Sequence, residues 1–219
     1  MIVAIDGVAG SGKTTVSRIV ARRLGFVYIY SGAIYRALAL KFIQLGMNDI
    51  NKENLKILLK KAKIKLKLEN SRQITMLDKK PVDDIIHSSQ ISDLTSRICE
   101  WRAVHEFVHK IERKYVSRKD IVIEGREIGS AVFPNADVKF FLTATPEARA
   151  RRRLADLKFK HETISFEKLK KQIIERDRRD FERKDFPLVK VPDAIEIDSS
   201  NLTIAEVVDI MTKEIKKRM

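Results

Sequence analysis

The chain has 219 residues, a formal net charge of +14 at pH 7, 44% hydrophobic residues and one cysteine. That length fits one α/β domain with inserted subdomains, and a single cysteine excludes an internal disulfide bond, so we expect a reducing, cytoplasmic setting. We expect no signal peptide and no membrane span, because no apolar run is long enough, and the positive charge favours phosphate-bearing ligands without choosing among them.

Apolar runs and helical patterns alternate along the chain. The apolar runs predict five short strands, at about 2–5, 26–29, 120–123, 138–142 and 194–197. Apolar spacing and capping residues predict helices at about 16–24, 33–45, 53–62 and 90–117, and others that begin after Thr145, Ser165 and Thr203. This alternation predicts a three-layer α/β/α fold around a parallel, five-stranded sheet.

The pattern changes at Ile64. From there to Leu68 apolar and charged residues alternate, which predicts a strand; a turn at Asn70-Ser71 and a second strand at 74–77 follow. We interpret this ribbon as part of an inserted subdomain. The predicted division is a core at about 1–48, 90–150 and 187–219, an insert at about 49–89 and a helical lid at about 151–186.

The strongest motif is Gly7-Val8-Ala9-Gly10-Ser11-Gly12-Lys13-Thr14, which matches G-x-x-x-x-G-K-[ST] between a predicted strand and a predicted helix. Its glycines let backbone N–H groups point at a phosphate, and the helix N-terminus adds its dipole. Lys13 would reach the β- and γ-phosphates, and the Thr14 hydroxyl would ligate Mg²⁺. The loop from Gly7 to Thr15 therefore predicts an ATP site.

Arginines are concentrated in the two helices predicted after Thr145. Arginine suits phosphoryl transfer because its planar fork matches phosphate oxygens. Arg176, Asp180 and Arg183 are spaced i, i+4 and i+7, which predicts one helix face with a carboxylate that orients two guanidinium groups. The alternative is a solvated face held by i,i+4 ion pairs.

Six further segments carry a family likeness, and they begin at Ser31, Glu124, Val132, Phe140, Glu175 and Asp198. The most specific are S-G-A-I-Y-R from Ser31 and E-R-D-x-R-D from Glu175. Together they cover nearly the whole chain in order and resemble the bacterial cytidylate kinase (CMP/dCMP kinase) family of P-loop nucleoside monophosphate kinases. The resemblance implies ATP-dependent phosphorylation of CMP and dCMP, with Mg²⁺ and ATP bound at the loop, a monophosphate-binding insert, a lid and a monomeric chain.

The resemblance also implies roles at matching positions. Arg36, Arg126 and Arg183 resemble the acceptor-phosphate arginines, and Arg176 with Asp180 resembles a ribose-binding pair. The whole implied monophosphate site is Ser31, Tyr35, Arg36, Ser96, His105, Arg126, Glu127, Arg176, Asp180 and Arg183. The implied catalytic residues are Lys13, Arg126, Arg183 and the lid residue Arg153.

Two positions depart from the family pattern. The family usually has G-R-D where this chain has Gly125-Arg126-Glu127, and often an arginine where this chain has His105. Both family residues are thought to contact the base. The Glu127 carboxylate would still accept from a cytosine amino group, one methylene further out, so these changes bear on base selectivity and not on phosphoryl transfer.

Metal ligands other than Thr14 are few in the sequence. Glu124, at a predicted strand end, would assist the Mg²⁺ shell through water. The histidines His105 and His109 are spaced i, i+4, but we identify no third ligand, so we predict no structural zinc.

Other functions remain open at this point. The nearest is a P-loop kinase that acts on UMP or another nucleoside monophosphate, and an assay across acceptors would distinguish it. The net charge also suits a nucleic-acid-binding ATPase, but aromatic residues make up only 7% and no binding signature is visible, so we predict neither a nucleic-acid nor a membrane partner. A regulatory ATPase would hydrolyse ATP without any monophosphate.

Overall fold

The structure is a computed structural model that describes residues 1–69, 72–115, 120–159 and 164–219. Within these ranges no helix combines the length and apolar character needed to cross a membrane. The elements in chain order are β1 (Ile2–Gly7), α1 (Lys13–Leu24), β2 (Val27–Tyr30), α2 (Ser31–Gln44), α3 (Lys52–Lys61), β3 (Ile64–Glu69), β4 (Arg72–Leu77), β5 (Lys80–Pro81), α4 (Ser89–Ile98), α5 (Arg102–Tyr115), β6 (Ile121–Glu124), β7 (Val138–Thr143), α6 (Pro146–Phe159), α7 (Phe166–Glu182), β8 (Ile195–Asp198) and α8 (Ile204–Lys216).

Five strands form the central sheet in the order β2-β6-β1-β7-β8, and every neighbouring pair is parallel. Side chains alternate across it: Val3 and Ile5 pack with α1 and α8, whereas Ala4 packs with α2 and α5 on the other face. The predicted three-layer α/β/α fold with a five-stranded parallel sheet is confirmed. The loops that carry the candidate site lie at the carboxyl ends of these strands.

The predicted ribbon is a second, antiparallel sheet of β3, β4 and β5, in which Ile64 pairs with Leu77. Its predicted turn at Asn70-Ser71 lies outside the described residues. The Gln73 side chain joins this sheet to the edge of the core: its Oε1 accepts from the Tyr30 amide at 2.8 Å, and its Nε2 donates to the Tyr30 carbonyl at 3.2 Å. The insert is thereby fixed beside the end of β2.

One predicted helix is wrong. The pattern at 90–117 predicts a single helix, but α4 ends at Ile98 and α5 begins at Arg102. The Cys99 carbonyl explains part of the break, because it accepts from Nε2 of His105 at 2.7 Å and not from the amide four residues ahead. The last predicted residues of this helix, 116 and 117, lie outside the described ranges.

The helix ends predicted from capping residues are confirmed. Ser165 accepts a hydrogen bond from the Lys168 amide, and Thr203 with Glu206 forms a reciprocal capping box. Gly25 follows α1 with φ of 72°, a left-handed conformation that favours glycine. Local sequence therefore set these boundaries.

Candidate active site

The loop between β1 and α1 has the backbone that its glycines predict. Gly7 has φ of 145°, and a Cβ there would lie 1.9 Å from the Leu142 carbonyl oxygen on the neighbouring strand. Gly12, with φ of 94°, precedes the first residue of α1, so the helix N-terminus faces the loop. The strand, loop and helix form the anion-binding arrangement predicted from the motif.

Lys13 lies under this loop. Its ammonium donates to the carbonyl oxygens of Gly7 at 2.9 Å and Val8 at 2.7 Å, and the residue is only 5% exposed. Burial, together with the positive charge of Arg126, lowers the pKa of Lys13 well below its ordinary value. A polyanion beside Lys13 would counter both effects and favour the charged ammonium.

The loop opens into a cavity of about 620 Å³. Its lining includes every predicted ATP-loop residue from Ala9 to Thr15, together with Arg149, Arg152 and the predicted Arg153. Gly7 and Val8 lie beneath, where their carbonyls hold Lys13. The arginines of α6 and the loop therefore face one space.

Arg149 and Asp177 are functional candidates that sequence reasoning did not select. The Arg149 guanidinium makes two hydrogen bonds to the Asp177 carboxylate, at 2.9 and 2.5 Å, and donates to the Ala9 carbonyl of the loop at 3.1 Å. This joins the loop to both arginine-rich helices. The sequence signals were that Arg149 lies in an arginine-rich helix and that Asp177 lies inside the E-R-D-x-R-D segment.

A second cavity, of about 100 Å³, adjoins the first. Ten of its lining residues are those predicted for the monophosphate site: Ser31, Tyr35, Arg36, Ser96, His105, Arg126, Glu127, Arg176, Asp180 and Arg183. They come from α2, α4, α5, the loop after β6, α7 and the segment just after α7. The structure brings every one of them to the same space.

The two cavities meet at a junction. The residues that line both are Tyr30, Arg36, Glu124, Arg126 and Arg176. Three of these are guanidinium groups. A ligand phosphate in either cavity would therefore share the same positive groups, which is the geometry that neutralises two adjacent phosphates.

Neighbouring groups hold the junction arginines in place. Arg36 donates to the Tyr30 hydroxyl at 3.2 Å and to the Ser92 hydroxyl at 2.7 Å. Arg126 follows β6, and its Nε donates to Oδ2 of Asp180 at 2.9 Å. Burial alone would raise the pKa of Asp180, but the surrounding arginines, Arg126 first, hold it below its ordinary value.

The predicted helix face of Arg176, Asp180 and Arg183 needs one correction. Arg183 is not in the helix, because α7 ends at Glu182 and Arg183 has an extended backbone with ψ of 140°. With Arg176 and Asp180 it still lines the second cavity, which we call the acceptor cavity because it contains the predicted monophosphate residues. Its Nη2 lies 3.3 Å from Oε2 of Glu127, and its Nε donates to the Phe186 carbonyl.

The loop that carries Arg126 and Glu127 is anchored to β1. The Asp6 carboxylate accepts from the Ile128 amide at 2.9 Å and from the Gly129 amide at 2.7 Å, at the start of a short π-helical turn, Ile128–Val132. Burial raises the pKa of Asp6 to about 6, although these two amides oppose the shift. Strand β1, which leads into the phosphate-binding loop, thus also anchors the loop that carries Arg126 and Glu127.

A buried cluster closes the far end of the acceptor cavity. Oε1 of Glu127 accepts from the Tyr35 hydroxyl at 2.7 Å and lies 2.7 Å from Nδ1 of His105 and 3.3 Å from Nε2 of His109. Burial would raise the pKa of Glu127, but the two histidines and Arg183 hold it well below its ordinary value. The expectation that His105 and His109 have no third neighbour of ligand type is wrong, because Glu127 lies between them.

The residues present fit a magnesium ion. The Thr14 hydroxyl and the Glu124 carboxylate line the same cavity, and Mg²⁺ prefers oxygen ligands. Glu124 is 2% exposed at the end of β6, and the Tyr28 hydroxyl donates to its Oε1 at 2.5 Å, which orients the carboxylate. Both predicted metal residues therefore stand on rigid elements.

A phosphate-binding loop whose cavity meets an arginine-lined acceptor cavity, at the strand ends of a parallel sheet, defines a P-loop kinase of the nucleoside monophosphate type. The comparison with protein families makes this more specific. The family model described as cytidylate kinase matches residues 3–217. The chain belongs to the cytidylate kinase family.

Known relatives agree with this assignment. The cytidylate kinase of Fervidobacterium nodosum is 44% identical over 216 residues, 99% of this chain and 96% of that one. The cytidylate kinase of Carboxydothermus hydrogenoformans is 38% identical over 208 residues, 95% of this chain and 94% of that one. A solved structure of shikimate kinase from Bacteroides thetaiotaomicron has a TM-score of 0.52 at 14% identity, with 99% of this chain and 98% of that chain covered, and shows the shared fold alone.

Proposed function

We propose that this chain transfers the γ-phosphoryl group of ATP directly to CMP and dCMP. The observation that carries the proposal is the junction of two cavities, where Arg36, Arg126 and Arg176 line both. Direct transfer requires two phosphate groups to meet in line while their charge is neutralised. Membership of the cytidylate kinase family supports CMP and dCMP as the acceptors.

On the donor side, the loop from Gly7 to Thr15 binds the ATP phosphates through its amides, and the Lys13 ammonium moves from the Gly7 and Val8 carbonyls to the phosphate oxygens. Thr14, with Glu124 acting through water, would hold Mg²⁺. When bound, that ion would supply positive charge that helps to neutralise the ATP phosphates. No side chain acts as a nucleophile, because the acceptor phosphate itself attacks.

On the acceptor side, Arg36, Arg126 and Arg183 hold the monophosphate, and Arg176 with Asp180 binds the ribose. Ser31 adds a hydroxyl at the phosphate end. Ser96, His105 and Glu127 line the base end, where a carboxylate accepts from the cytosine amino group. Asp180 keeps Arg126 oriented before the substrate arrives, which lowers the cost of reorganisation.

The insert at 49–89 and the lid at 151–186 close over the two nucleotides in this proposal. Arg149 already joins the loop carbonyl of Ala9 to Asp177 of α7, so closure needs little new ordering on that side. Closure would bring Arg153, which is exposed at the cavity edge, onto the transferred phosphoryl group and exclude water.

A coupled assay of ADP formation with ATP and Mg²⁺ across CMP, dCMP, UMP, AMP and GMP tests the proposal. We expect the highest kcat/KM for CMP and dCMP and negligible ADP formation without an acceptor. Equal or better turnover of a purine monophosphate, or acceptor-independent hydrolysis as the main reaction, would overturn it.

A further inference from the structure

His109 stands behind the base end of the acceptor cavity. It is 3% exposed, and it lies one turn beyond His105 on the buried face of α5. His105 and Glu127 line the cavity, whereas His109 contacts Glu127 from the side away from it. Nothing in the proposed mechanism yet uses this buried imidazole.

The His105 ring is held between two elements by its nitrogens. The Cys99 carbonyl can only accept, so Nε2 of His105, 2.7 Å away, donates to it. Nδ1 of His105 lies 2.7 Å from Oε1 of Glu127 and 2.9 Å from the Tyr35 hydroxyl, which also donates to Oε1. His105, Tyr35 and Glu127 therefore form one hydrogen-bonded cluster.

The contact between Nδ1 of His105 and Oε1 of Glu127 has the length of a hydrogen bond and is shorter than the distance between two ligands of one metal ion. The ligand atoms of His105, His109 and Glu127 all lie within 4.8 Å of one another, which a divalent cation could bridge. Two ligands of one tetrahedral zinc are separated by roughly 3.3 Å, given Zn–N and Zn–O bonds of about 2.0–2.2 Å. The 2.7 Å contact is instead the length of a charge-assisted hydrogen bond, about 2.7–2.9 Å.

The two carboxylate oxygens of Glu127 differ in the contacts that they make. Oε1 accepts from the Tyr35 hydroxyl and lies within hydrogen-bond distance of His105 and His109, whereas Oε2 has, within the described ranges, a hydrogen bond from Arg183 only, at 3.3 Å. The charged and titratable groups packed around this cluster are Tyr35 of α2, Cys99, His109 and Glu112 of α5, and Arg183. Oε2 therefore has more unused acceptor capacity than Oε1.

We infer that His109 is a positioning residue for base selection: by donating to Oε1 it stops the Glu127 carboxylate from rotating and keeps Oε2 as the acceptor that faces the base. A glutamate needs this restraint because its terminal torsion is broad. A fixed acceptor favours a base with an exocyclic amino group, as in cytosine, and disfavours one with a carbonyl there, as in uracil. This inference rests on the proposed function.

Two variants distinguish the loss of the N–H donor of His109 from a change in the volume of its side chain. His109→Phe keeps a ring and removes the donor, whereas His109→Gln keeps an N–H donor. We expect the ratio of kcat/KM for CMP to that for UMP to fall about tenfold in His109→Phe, the scale of one hydrogen bond to a charged group, and to recover most of its value in His109→Gln. An unchanged ratio in His109→Phe, or an equal fall in both variants, would overturn the inference.

A second measurement does not need turnover or a stable variant. In the wild-type chain, ¹⁵N NMR of labelled imidazoles should show a proton on Nε2 of His109, the nitrogen that faces Glu127. A His109 ring without a proton on Nε2, or one Zn²⁺ bound per chain in the absence of nucleotides, would contradict the donor role. If the wild type turned over no CMP, the proposed function would fail, whereas a selective wild type with an unaffected His109→Phe would sink this inference alone.

Discussion

Arg126 and Asp180 form an ion pair where the two cavities meet: Nε of the arginine donates to Oδ2 of the aspartate over 2.9 Å, and the two side chains are 20% and 14% exposed. The pair links the loop after β6 to helix α7. It orients a guanidinium group that lines both cavities before any phosphate binds.

The first prediction removes the charge of this pair. Asp180→Asn keeps the shape of the side chain but leaves Arg126 without its carboxylate, so kcat/KM for CMP should fall roughly 10²-fold. Glu182→Gln, two residues on, is the matched control, because in the part of the chain that the structure describes Glu182 pairs only with the exposed Arg178. We expect less than about a twofold change. Equal effects of the two substitutions in steady-state kinetics would refute the role of the pair.

The second prediction concerns Lys13. Lys13→Met removes the ammonium but keeps an unbranched chain under the loop, so turnover should fall by about 10³-fold or more. Burial disfavours the charged ammonium, whereas its hydrogen bonds to the Gly7 and Val8 carbonyls favour it, so the melting temperature without nucleotide should change by only about a few degrees. Arg183→Ala, which removes one of the three arginines proposed to hold the monophosphate, should lower kcat/KM for CMP by roughly 10²–10³-fold. Turnover by Lys13→Met within tenfold of wild type would argue against its place at the phosphates.

The third prediction tests the backbone of the loop. In Gly7→Ala the new Cβ would meet the Leu142 carbonyl at 1.9 Å, so strand β1 must shift and the free energy of unfolding should fall by about 3 kcal/mol or more. Gly46→Ala is the control, because Gly46 also has a positive φ but open space around it; about 1 kcal/mol is expected. Urea unfolding of both variants would show whether the close approach at Gly7 matters more than its torsion angle.

The fourth prediction concerns pH. Burial raises the pKa of Glu112 from 4.5 to about 8, and the residue is fully buried. Between these values the unfolded chain releases a proton that the folded chain keeps, so the free energy of unfolding falls as pH rises, at most by about 1.4 kcal/mol per unit. Glu112→Gln removes this term. The variant should gain on wild type from about pH 5 to about pH 8 and then level off.

Urea unfolding of wild type and Glu112→Gln at a series of pH values provides the measurement. Parallel stability curves across that window would show that the Glu112 carboxyl titrates normally. If Glu112→Gln were more stable than wild type only at low pH, and lost this advantage as pH rose, the folded pKa of Glu112 would be lowered and not raised.

Local signals in the sequence were enough for the sheet and for most helix ends. The apolar runs located all five strands: β1, β2, β6 and β7 are almost wholly buried, and the edge strand β8 still places Ile195 and Ile197 on its inner face. Capping residues such as Ser165 and Thr203 act on their own backbone. The break between α4 and α5 escaped detection because no glycine or proline marks it. Part of it is a bond between the His105 ring and the Cys99 carbonyl, a side-chain contact that helical spacing does not predict.

The candidate site shows the same division. Motif positions such as Arg126 and Asp180 could be predicted from the resemblance, and all ten predicted acceptor residues line one cavity. Arg149 and its partner Asp177 come from different helices, 28 residues apart, so nothing in either helix pattern announced their bond. The contact of His109 with Glu127, 18 residues along the chain, was hidden for the same reason.

The phosphate chains of both nucleotides should meet at Arg36, Arg126 and Arg176, the arginines that line both cavities. An adenosine and a cytidine joined 5′ to 5′ by five phosphates would occupy both cavities at once, and its binding can be measured by calorimetry, with Arg126→Ala as the comparison. We expect one ligand per chain, bound more tightly than ATP or CMP alone, and an affinity at least about tenfold weaker in the variant. A linked ligand that binds no better than ATP, and equally well to Arg126→Ala, would contradict it.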